Sequence, residues 1–421
     1  MKPTVLIFAT ARWFSTARLA VAFGSAGFAV DALCLPQHPL AKTSIVPHPH
    51  IFNPVAPLIS ASNAISASKP TIIVPADDLA VHHLHQLYDH GRRQGEQSTS
   101  LCALIERSLG SSESFRILEA RASLIHVAEE EGVRVPKTSV IANRRELRQW
   151  LSSAGLPVVL KADGTSGGTG VRIASSTDEA IRALDFLRSA SPSYLSPIQA
   201  WWRKSKALVW PSLPPRRVVN AQAHITGCDA ISEVACWKGA VLAELRFEVL
   251  TKQYARGPAS VLRVLDNAEM SLAIEKIVRR LNLSGLHGFD FILEEQTGHP
   301  YLIELNPRAT QIGHLTLGPG HDLPAALYAA ASGDPIQPVP AVTEKDTIAL
   351  FPQEWIRDRR SAFLLSAYHD VPWQEPEFIR ACIEGSRVNE APRKLREQGV
   401  APSGAGAPLT ALRAGKLPGA D

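Results

Sequence analysis

One predicted hairpin with three oxygen-bearing side chains constrains the fold of this chain more than any other feature. Its first strand, Gly288–Leu293, carries Asp290, and its second strand, Tyr301–Arg308, carries Glu304 and Asn306. A Thr-Gly pair between the two runs predicts the turn. Side chains alternate along a strand, so Glu304 and Asn306 share one face, and pairing about the turn places Asp290 opposite Glu304. We therefore expect three oxygen ligands to converge on one spot.

Such a set of ligands is typical of a magnesium site. Mg²⁺ prefers hard oxygen ligands and keeps substrate phosphates and waters in its octahedron. Two unpaired carboxylates side by side would repel each other, and a bound cation removes that conflict. The alternative is a solvated acidic strand face. Arg308 and the flanking apolar residues Phe289, Phe291 and Ile303 favour a formed site.

A glycine-rich loop lies between two further strand-like runs. The run Pro157–Lys161 leads into it, and Val171–Ala174 follows with period-two alternation. In a P-loop the lysine follows the glycines at a helix start, whereas here Lys161 precedes them on a strand. Glycines let backbone N–H groups approach phosphate oxygens, and a lysine adds positive charge. The loop is therefore a candidate phosphate site, with a hairpin loop of no special function as the alternative. Its candidate contacts are Gly167, Gly168 and Gly170.

The first hundred residues alternate strand-like and helix-like runs. A β-α-β-α-β order of this kind predicts a parallel, Rossmann-like sheet. No G-x-G-x-x-G follows the first strand, so a dinucleotide is not indicated. The predicted elements are Val5–Ala9, Ser15–Gly27, Phe28–Leu35, Pro57–Ser68 and Thr71–Pro75.

Helical periodicity and strand patterns continue beyond residue 111. The apolar spacing predicts one helix over Glu113–Gly132 and further helices over Arg144–Ala154 and Asn267–Leu281. The histidines at 82, 83, 85 and 90, beside Asp77 and Asp78, form another candidate metal cluster, but no carboxylate or cysteine spacing completes a tetrahedral site, so a solvated helix or a domain contact is favoured.

Composition excludes several functional classes. The 44 basic and 40 acidic residues give a net charge of +4, too balanced for a surface that coats a polyanion, so nucleic acid is not expected. Five cysteines without C-x-x-C spacing fit a reducing compartment. The N-terminal apolar run is too short for a signal peptide, and no stretch approaches the roughly 18 apolar residues of a membrane span. We expect a cytoplasmic protein.

The hairpin and the glycine loop, in this order, resemble the ATP-grasp superfamily, which includes carbamoyl-phosphate synthetase, biotin carboxylase and D-alanine–D-alanine ligase. The sequence Glu304-Leu305-Asn306-Pro307-Arg308 matches the metal strand of that family, and the loop after Lys161 matches its lid. The resemblance implies an α/β (α+β ATP-grasp) fold. The implied layout is a Rossmann-like domain at 1–111, an ATP-grasp domain at 112–333 with a Trp-containing insertion or lid at about 189–217, a small module at 334–400, and a disordered tail at 401–421.

The resemblance also implies roles for individual residues. Arg121 and Lys161 would contact phosphates, and Arg308 would hold the carboxylate or acylphosphate. Lys252 and Arg256 would reach the γ-phosphate or the acceptor. Adenine and ribose would be read by Gln222, the backbone of Ala223 and Ile225, and Asp229. Gln222, Ala223 and Asp229 depart from the residues the family commonly has there, which leaves nucleotide preference open.

The implied activity is that of an ATP-dependent, carbon–nitrogen bond-forming ligase. Such an enzyme activates a carboxylate as an acylphosphate for attack by an amine, with ATP and Mg²⁺, or Mn²⁺ in its place. The implied partners are a small-molecule carboxylate and an amine, without nucleic acid or membrane, and a homodimer is left open. A small-molecule kinase and a non-catalytic ATP-binding module are the alternatives.

Overall fold

The computed structural model describes residues 2–95, 99–165, 168, 170–189, 217–255 and 257–384. Three β-sheets organise these residues, and each is covered by helices. Most of the insertion predicted at 189–217, the tail predicted at 401–421, Gly167 and Arg256 lie outside the described residues. The fold is mixed α/β, as the sequence predicts.

The first sheet belongs to the N-terminal unit and has four parallel strands in the order β3-β2-β1-β4. This result confirms the parallel sheet predicted from the alternation of elements. Its elements are β1 (Thr4–Ala9), α1 (Phe14–Ser25), β2 (Ala29–Cys34), β3 (His50–Ile51), α2 (Pro57–Ser68), β4 (Ile72–Pro75), α3 (Asp78–Gln94) and α4 (Thr99–Leu109).

The single helix predicted over Glu113–Gly132 is wrong. The segment instead forms a 3₁₀ turn followed by α5 (Phe115–Glu119) and α6 (Arg121–Glu130). Ala120 between them is extended, with φ −115° and ψ 105°. Apolar spacing cannot reveal a break of one residue, because the same face stays buried on both sides of it. The break makes Arg121 the first residue of α6.

The second sheet is antiparallel, in the order β5-β8-β6-β7, and forms the small lobe that carries the glycine loop. Two helices and the sheet bury a separate apolar cluster that includes Leu147, Leu160 and Leu184. The elements are β5 (Thr138–Val140), α7 (Arg144–Ala154), β6 (Val158–Ala162), β7 (Val171–Ala174), α8 (Thr177–Ser189) and β8 (Val219–Ala223).

The third sheet has seven strands in the order β13-β12-β9-β10-β11-β14-β15, all antiparallel except the last pair. Helices α6 and α9 cover one of its faces over a core that includes Phe289 and Phe291. The elements are β9 (Gly227–Trp237), β10 (Ala240–Lys252), β11 (Ala259–Val264), α9 (Ala268–Arg280), β12 (Gly285–Glu294), β13 (Pro300–Asn306), α10 (Leu323–Ser332), β14 (Thr347–Leu350), α11 (Gln353–Arg357), α12 (Phe363–Ser366) and β15 (Tyr368–Asp370).

The segment predicted as a C-terminal module extends this third sheet. Strand β14 pairs with β11, with Ala349 opposite Val261, and β15 pairs with β14. Edge strands present unpaired N–H and C=O groups; β14 satisfies those of β11, and β15 satisfies those of β14. The domain boundaries given above therefore stay predictions. Within the described residues, every helix is too short or too polar to cross a bilayer.

A buried ion pair joins the N-terminal unit to the end of the described chain. The Arg18 guanidinium donates to both carboxylate oxygens of Asp370, at 2.5 and 2.9 Å, and His314 Nε2 lies 2.7 Å from Asp370 Oδ2. The side chains of Arg18 and Asp370 are 11% and 3% exposed. One apolar cluster also runs from the first sheet to the third and includes Phe28 and Tyr328, whose ring centres are 5.3 Å apart.

We expect Arg18→Ala to lower the free energy of unfolding by about 3–5 kcal/mol, because it leaves the Asp370 carboxylate buried without its main partner. Arg380→Ala is the matched control, since Arg380 and Glu377 form an ion pair whose side chains are both 63% exposed. Its loss should cost at most about 1 kcal/mol. Urea denaturation of both variants checks this, and equal effects would show that the buried pair contributes nothing special.

Candidate active site

The predicted hairpin forms with the predicted register. Asp290 of β12 lies opposite Glu304 of β13, and Gly288 lies opposite Asn306. The Asn306 side chain donates to Asp290 Oδ2 at 3.2 Å. Because the alternate residue Phe289 is fully buried on the other face, the three polar side chains share the face that is turned toward the small lobe. The convergence of oxygen atoms expected from the sequence is confirmed.

The two facing carboxylates differ in their electrostatic surroundings. Burial and the neighbouring charge of Glu304 raise the pKa of Asp290 to about 6. Burial also acts to raise the pKa of Glu304, but Arg121 and Lys161 outweigh it and hold that pKa below its ordinary value. Glu304 is therefore ionised at neutral pH, whereas Asp290 forms no direct ion pair within the described residues, although Lys161 and Arg308 act to lower its pKa.

Two cations from different elements converge on Glu304. Arg121 at the start of α6 donates to Glu304 Oε1 at 2.8 Å, and its side chain is 17% exposed. Lys161 of β6 is buried and donates to the backbone oxygen of Ile303 at 3.1 Å. Burial lowers the pKa of Lys161, although the charge of Glu304 opposes the effect. The predicted phosphate-contacting cations thus lie beside the predicted metal strand.

The glycine loop connects two antiparallel strands, as the sequence predicts. Strands β6 and β7 pair with Val158 opposite Ala174 and with Lys161 opposite Val171. Gly168 has a φ of +73°, a conformation that side chains rarely adopt. Arg121 also donates to the backbone oxygens of Ala162 at 2.5 Å and Thr165 at 2.8 Å. One guanidinium therefore ties the base of the loop to the metal strand.

The residues predicted to read the nucleoside lie along β8 and the start of β9. Gln222 is buried and donates to Thr138 Oγ1 at 3.2 Å, and the Ala223 N–H donates to the backbone oxygen of Lys137 at 2.8 Å. Ile225 lies in the connection between the two strands. Asp229 is 41% exposed and pairs with Lys252 at 2.8 Å.

The contact between Asp229 and Lys252 bears on both of their predicted roles. A ribose hydroxyl or a phosphate would have to share or replace this ion pair. The roles assigned to the adenine-edge and ribose-edge residues therefore remain predictions. The same holds for Arg256, which lies outside the described part of the chain.

Arg308 is held by residues of the N-terminal unit. Its guanidinium donates to both oxygens of Asp78, at 2.8 and 3.5 Å, and to Asn306 Oδ1 at 3.2 Å. Asp78 is the first residue of α3, and the preceding Asp77 caps that helix through Ala80. The bidentate contact shows that a carboxylate fits the fork of this arginine.

Sequence reasoning missed three acidic residues around the site. Asp78 begins the helix that carries the histidines at 82, 83, 85 and 90, and no metal cluster is found there among the described residues. Asp163 Oδ1 accepts a hydrogen bond from Asn220 Nδ2 at 2.8 Å and lies 3.8 Å from Arg121 Nη1. Glu233 of β9 is fully buried. Its lone carboxylate in an otherwise apolar run was the one available signal.

The donor set fits a magnesium ion held jointly by protein and phosphate. It consists of two carboxylates and one amide oxygen, on adjacent strands of one sheet. No group of three or more His, Cys, Asp or Glu side chains in the described residues would hold a metal without further ligands. Mg²⁺ sites that use few protein ligands leave positions for waters and substrate oxygens. The repulsion that raises the pKa of Asp290 is the feature that a cation would relieve.

Comparison with known proteins places the same region in a known family. Residues 238–311 match the ATP-grasp domain model. Among curated proteins, the chain is 22% identical over 235 residues to the carbamoyl phosphate synthase large chain of Thermus thermophilus and 25% identical over 240 residues to that of Clostridium acetobutylicum. These alignments cover 55% and 56% of this chain but 20% of each relative, so the chain spans about a fifth of those proteins.

Solved structures support the same fold. The biotin carboxylase domain of 2-oxoglutarate carboxylase from Hydrogenobacter thermophilus superposes with a TM-score of 0.57 at 18% identity, over 79% of this chain and 70% of that one. N5-carboxyaminoimidazole synthetase from Staphylococcus aureus superposes with a TM-score of 0.56 at 12% identity, over 80% of this chain and 79% of that one. Residues 238–311 thus match the ATP-grasp domain, the chain has the fold of these solved structures, and the resemblance seen in the sequence is confirmed.

We expect Asp290→Asn to stabilise the metal-free protein increasingly as pH rises from 4 to 7. The folded pKa of Asp290, about 6, is above its ordinary value of 3.8. Protonated Asp290 therefore makes its full contribution to the free energy of unfolding below the pKa that it has in the unfolded state. That contribution is lost as pH rises through the pKa that it has in the folded state. Urea denaturation without Mg²⁺ or nucleotide measures the difference from the wild type.

The exposed Asp334→Asn is the matched control and should give a difference that does not change with pH. Added Mg²⁺ should stabilise the wild type at pH 7 more than it stabilises the Asp290 variant. A difference between Asp290→Asn and the wild type that is the same at every pH would contradict the assignment.

Proposed function

We propose that this protein is an ATP-dependent ligase that joins a small-molecule carboxylate to an amine, with residues 112–333 as the catalytic unit. The single observation that carries the proposal is the meeting of two opposite sets of charges at one place. Asp290 and Glu304 lie on the large sheet, and Arg121 of α6 and Lys161 of the small lobe meet them there. A triphosphate with a divalent cation carries both signs of charge and complements both sets.

Each residue then has a defined task. Asp290, Glu304 and Asn306 would hold Mg²⁺, which when bound neutralises charge on the β- and γ-phosphate oxygens. Lys161 would bind the phosphates from the small lobe, and Arg121 would bind them from the start of α6. Such binding requires Arg121 to exchange part of its contact with Glu304 for phosphate oxygens.

The glycine loop would close over the phosphates, with Gly167, Gly168 and Gly170 donating backbone N–H groups. Closure would exclude water and protect a reactive intermediate. Gln222, Ala223 and Ile225 would contact the adenine, and Asp229 the ribose. Two observations support this placement: the residues follow one another along β8 and β9, and β8 pairs with the strand that carries Lys161.

The chemical step transfers the γ-phosphoryl group of ATP to a carboxylate oxygen. The bond between the γ-phosphorus and the β,γ-bridging oxygen breaks, and ADP and an acylphosphate form. The amine nitrogen then attacks the acyl carbon, phosphate leaves with the bonding electron pair, and the nitrogen loses a proton. The products are ADP, phosphate and an amide. This chemistry depends on charge neutralisation and positioning more than on acid–base groups.

Arg308 would bind the carboxylate substrate, together with Arg256 and Lys252 as further cations. The bidentate contact between Arg308 and Asp78 supports this role, because the guanidinium already holds a carboxylate in the required geometry. The structural neighbour from Hydrogenobacter thermophilus is described with MgADP and bicarbonate, a small carboxylate-like anion, which agrees with such a site. A kinase would form the same first contacts but release a stable phosphoester.

We expect Glu304→Gln to weaken Mg²⁺-dependent ADP binding by about 10²–10³-fold, the usual loss when one preorganised charged contact is removed. Lys161→Met should weaken it to a similar extent. Glu248→Gln, on the same sheet but paired with Arg263 away from the site, is the control and should bind like the wild type. Calorimetric titration with ADP, with and without Mg²⁺, measures the effect. Wild-type protein without Mg²⁺-dependent affinity for ADP would refute the proposed function.

The reaction itself is tested by ADP release from ATP and Mg²⁺ with amino and hydroxy acids, singly and in pairs, and by mass detection of the products. A ligase gives phosphate and a condensed product, and it requires two acceptors. Arg308→Ala should lower turnover about 10²–10³-fold. A phosphorylated single acceptor would instead establish the kinase, and nucleotide binding with no turnover on any pair would favour the non-catalytic module.

A further inference from the structure

A second buried carboxylate lies one row away from the metal ligands on the same sheet. Glu233 of β9 pairs in register with Gly288 of β12, which in turn pairs with Asn306 of β13. Side chains that are paired across strands share a face, so Glu233 points to the face that carries Asp290 and Glu304. Unlike those two residues, it is fully buried, so it is not available to a metal or to a phosphate.

The loop that follows the metal strand covers Glu233. The Thr310 N–H donates to Glu233 Oε1 at 3.0 Å, and the Thr310 hydroxyl donates to Oε2. The backbone of Gly313 also donates to this carboxylate. The two oxygens of one side chain thus bind two positions of the loop 308–313, which begins at Arg308.

Two glycines provide the space for this contact. A Cβ atom on Gly313 would lie 2.4 Å from Glu233 Oε1, and a Cβ atom on Gly288 would lie 2.3 Å from the Thr310 methyl group. Side chains at either position would separate the loop from the sheet. The close approach of loop, glutamate and strand therefore depends on residues from three segments that are far apart in the sequence.

Among the residues that the structure describes, no ion pair neutralises the charge of Glu233. The neighbours of Glu233 on the adjacent strands are Leu245 of β10 and Gly288 of β12. Arg308 is the charged group that acts on Glu233, and it lowers the pKa of the carboxyl. Burial raises the pKa of Glu233 to about 6, while the hydrogen bonds from Thr310 act in the opposite direction. Burying a carboxylate in a largely apolar strand is energetically unfavourable. Because this carboxylate binds a single loop, the simplest explanation is that it positions that loop.

We propose that Glu233 is a positioning residue that fixes the loop 308–313 and thereby presents Arg308 to the carboxylate substrate. This inference rests on the proposed function of Arg308. Arg308 is fixed from one side by Asp78 of the N-terminal unit. On this view the contact between Glu233 and Thr310 fixes the backbone on the other side. Gln311 follows Thr310, and its Oε1 accepts a hydrogen bond from Gln353 Nε2 at 3.4 Å. The contact between Glu233 and Thr310 would position Gln311 as well.

The test uses Glu233→Leu, which keeps the volume of the side chain but removes both acceptor oxygens. Hydrogen exchange of peptides that cover residues 308–313 should become at least about 10-fold faster, because the Thr310 N–H loses its acceptor. The affinity for MgADP should stay within about 2-fold of the wild type. The concentration of pooled amino and hydroxy acids that gives half-maximal ADP release should rise about 10-fold or more.

Two further variants keep the inference testable if Glu233→Leu does not fold. Glu233→Gln retains an acceptor for the Thr310 N–H, and its amide can donate to the hydroxyl, so it should restore slow exchange and normal acceptor dependence. Thr310→Val removes only the hydroxyl donor and should accelerate exchange to a smaller extent. Glu244→Leu is the matched control: it removes a buried carboxylate of the neighbouring strand, bound to Ser232, Arg246 and Ser271, and should leave loop exchange unchanged.

The outcomes separate this inference from the proposed function. Unchanged exchange in Glu233→Leu, or equal acceleration in Glu244→Leu, would overturn the positioning role whatever the activity of the enzyme. Loss of MgADP affinity in proportion to the loss of acceptor response would also overturn it, because it would indicate a general structural defect. Wild-type protein that binds no MgADP would instead refute the proposed function, while the exchange experiment would still decide whether Glu233 holds the loop.

Discussion

The repulsion between two carboxylates on adjacent strands is the constraint on which the rest of the site depends. Asp290 and Glu304 face each other in one antiparallel pair, and burial makes their proximity more costly. The protein offsets part of this cost with Arg121, the first residue of α6, which binds Glu304. The remaining charge at Asp290 has no such partner in the described structure, so the site is built to gain a cation.

Arg121 also links the two lobes. Arg121 begins α6, which packs on the large sheet, yet its guanidinium also binds the backbone at the base of the glycine loop. Lys161 reaches across from the small lobe in the same place. A ligand that competes for Arg121 and Lys161 would alter the contacts between the lobes, which is a direct physical link between phosphate binding and closure of the loop.

Asp78 and Glu233 show how the acceptor side of the site is organised. Neither lies on the metal strand: Asp78 approaches Arg308 from helix α3, and Glu233 approaches the following loop from the third sheet. The N-terminal unit therefore takes part in the site through α3. The extension of the large sheet by β14 and β15 and the buried contact between Arg18 and Asp370 bind this unit firmly to the rest of the chain. Rigid support of this kind is what precise positioning of a substrate requires.

Local patterns were sufficient to predict the parallel N-terminal sheet, the strand–loop–strand around the glycines and the register of the metal hairpin. Each depends on side-chain alternation or turn chemistry within about twenty residues. The break at Ala120 and the partners of Arg308 and Glu233 could not be predicted. They depend on contacts between segments separated by 77 to 230 positions, and apolar periodicity contains no information about which polar groups meet. The sequence thus determined which ligands share a strand face, and only the tertiary structure decided which charges oppose them, because long-range packing brings those groups together.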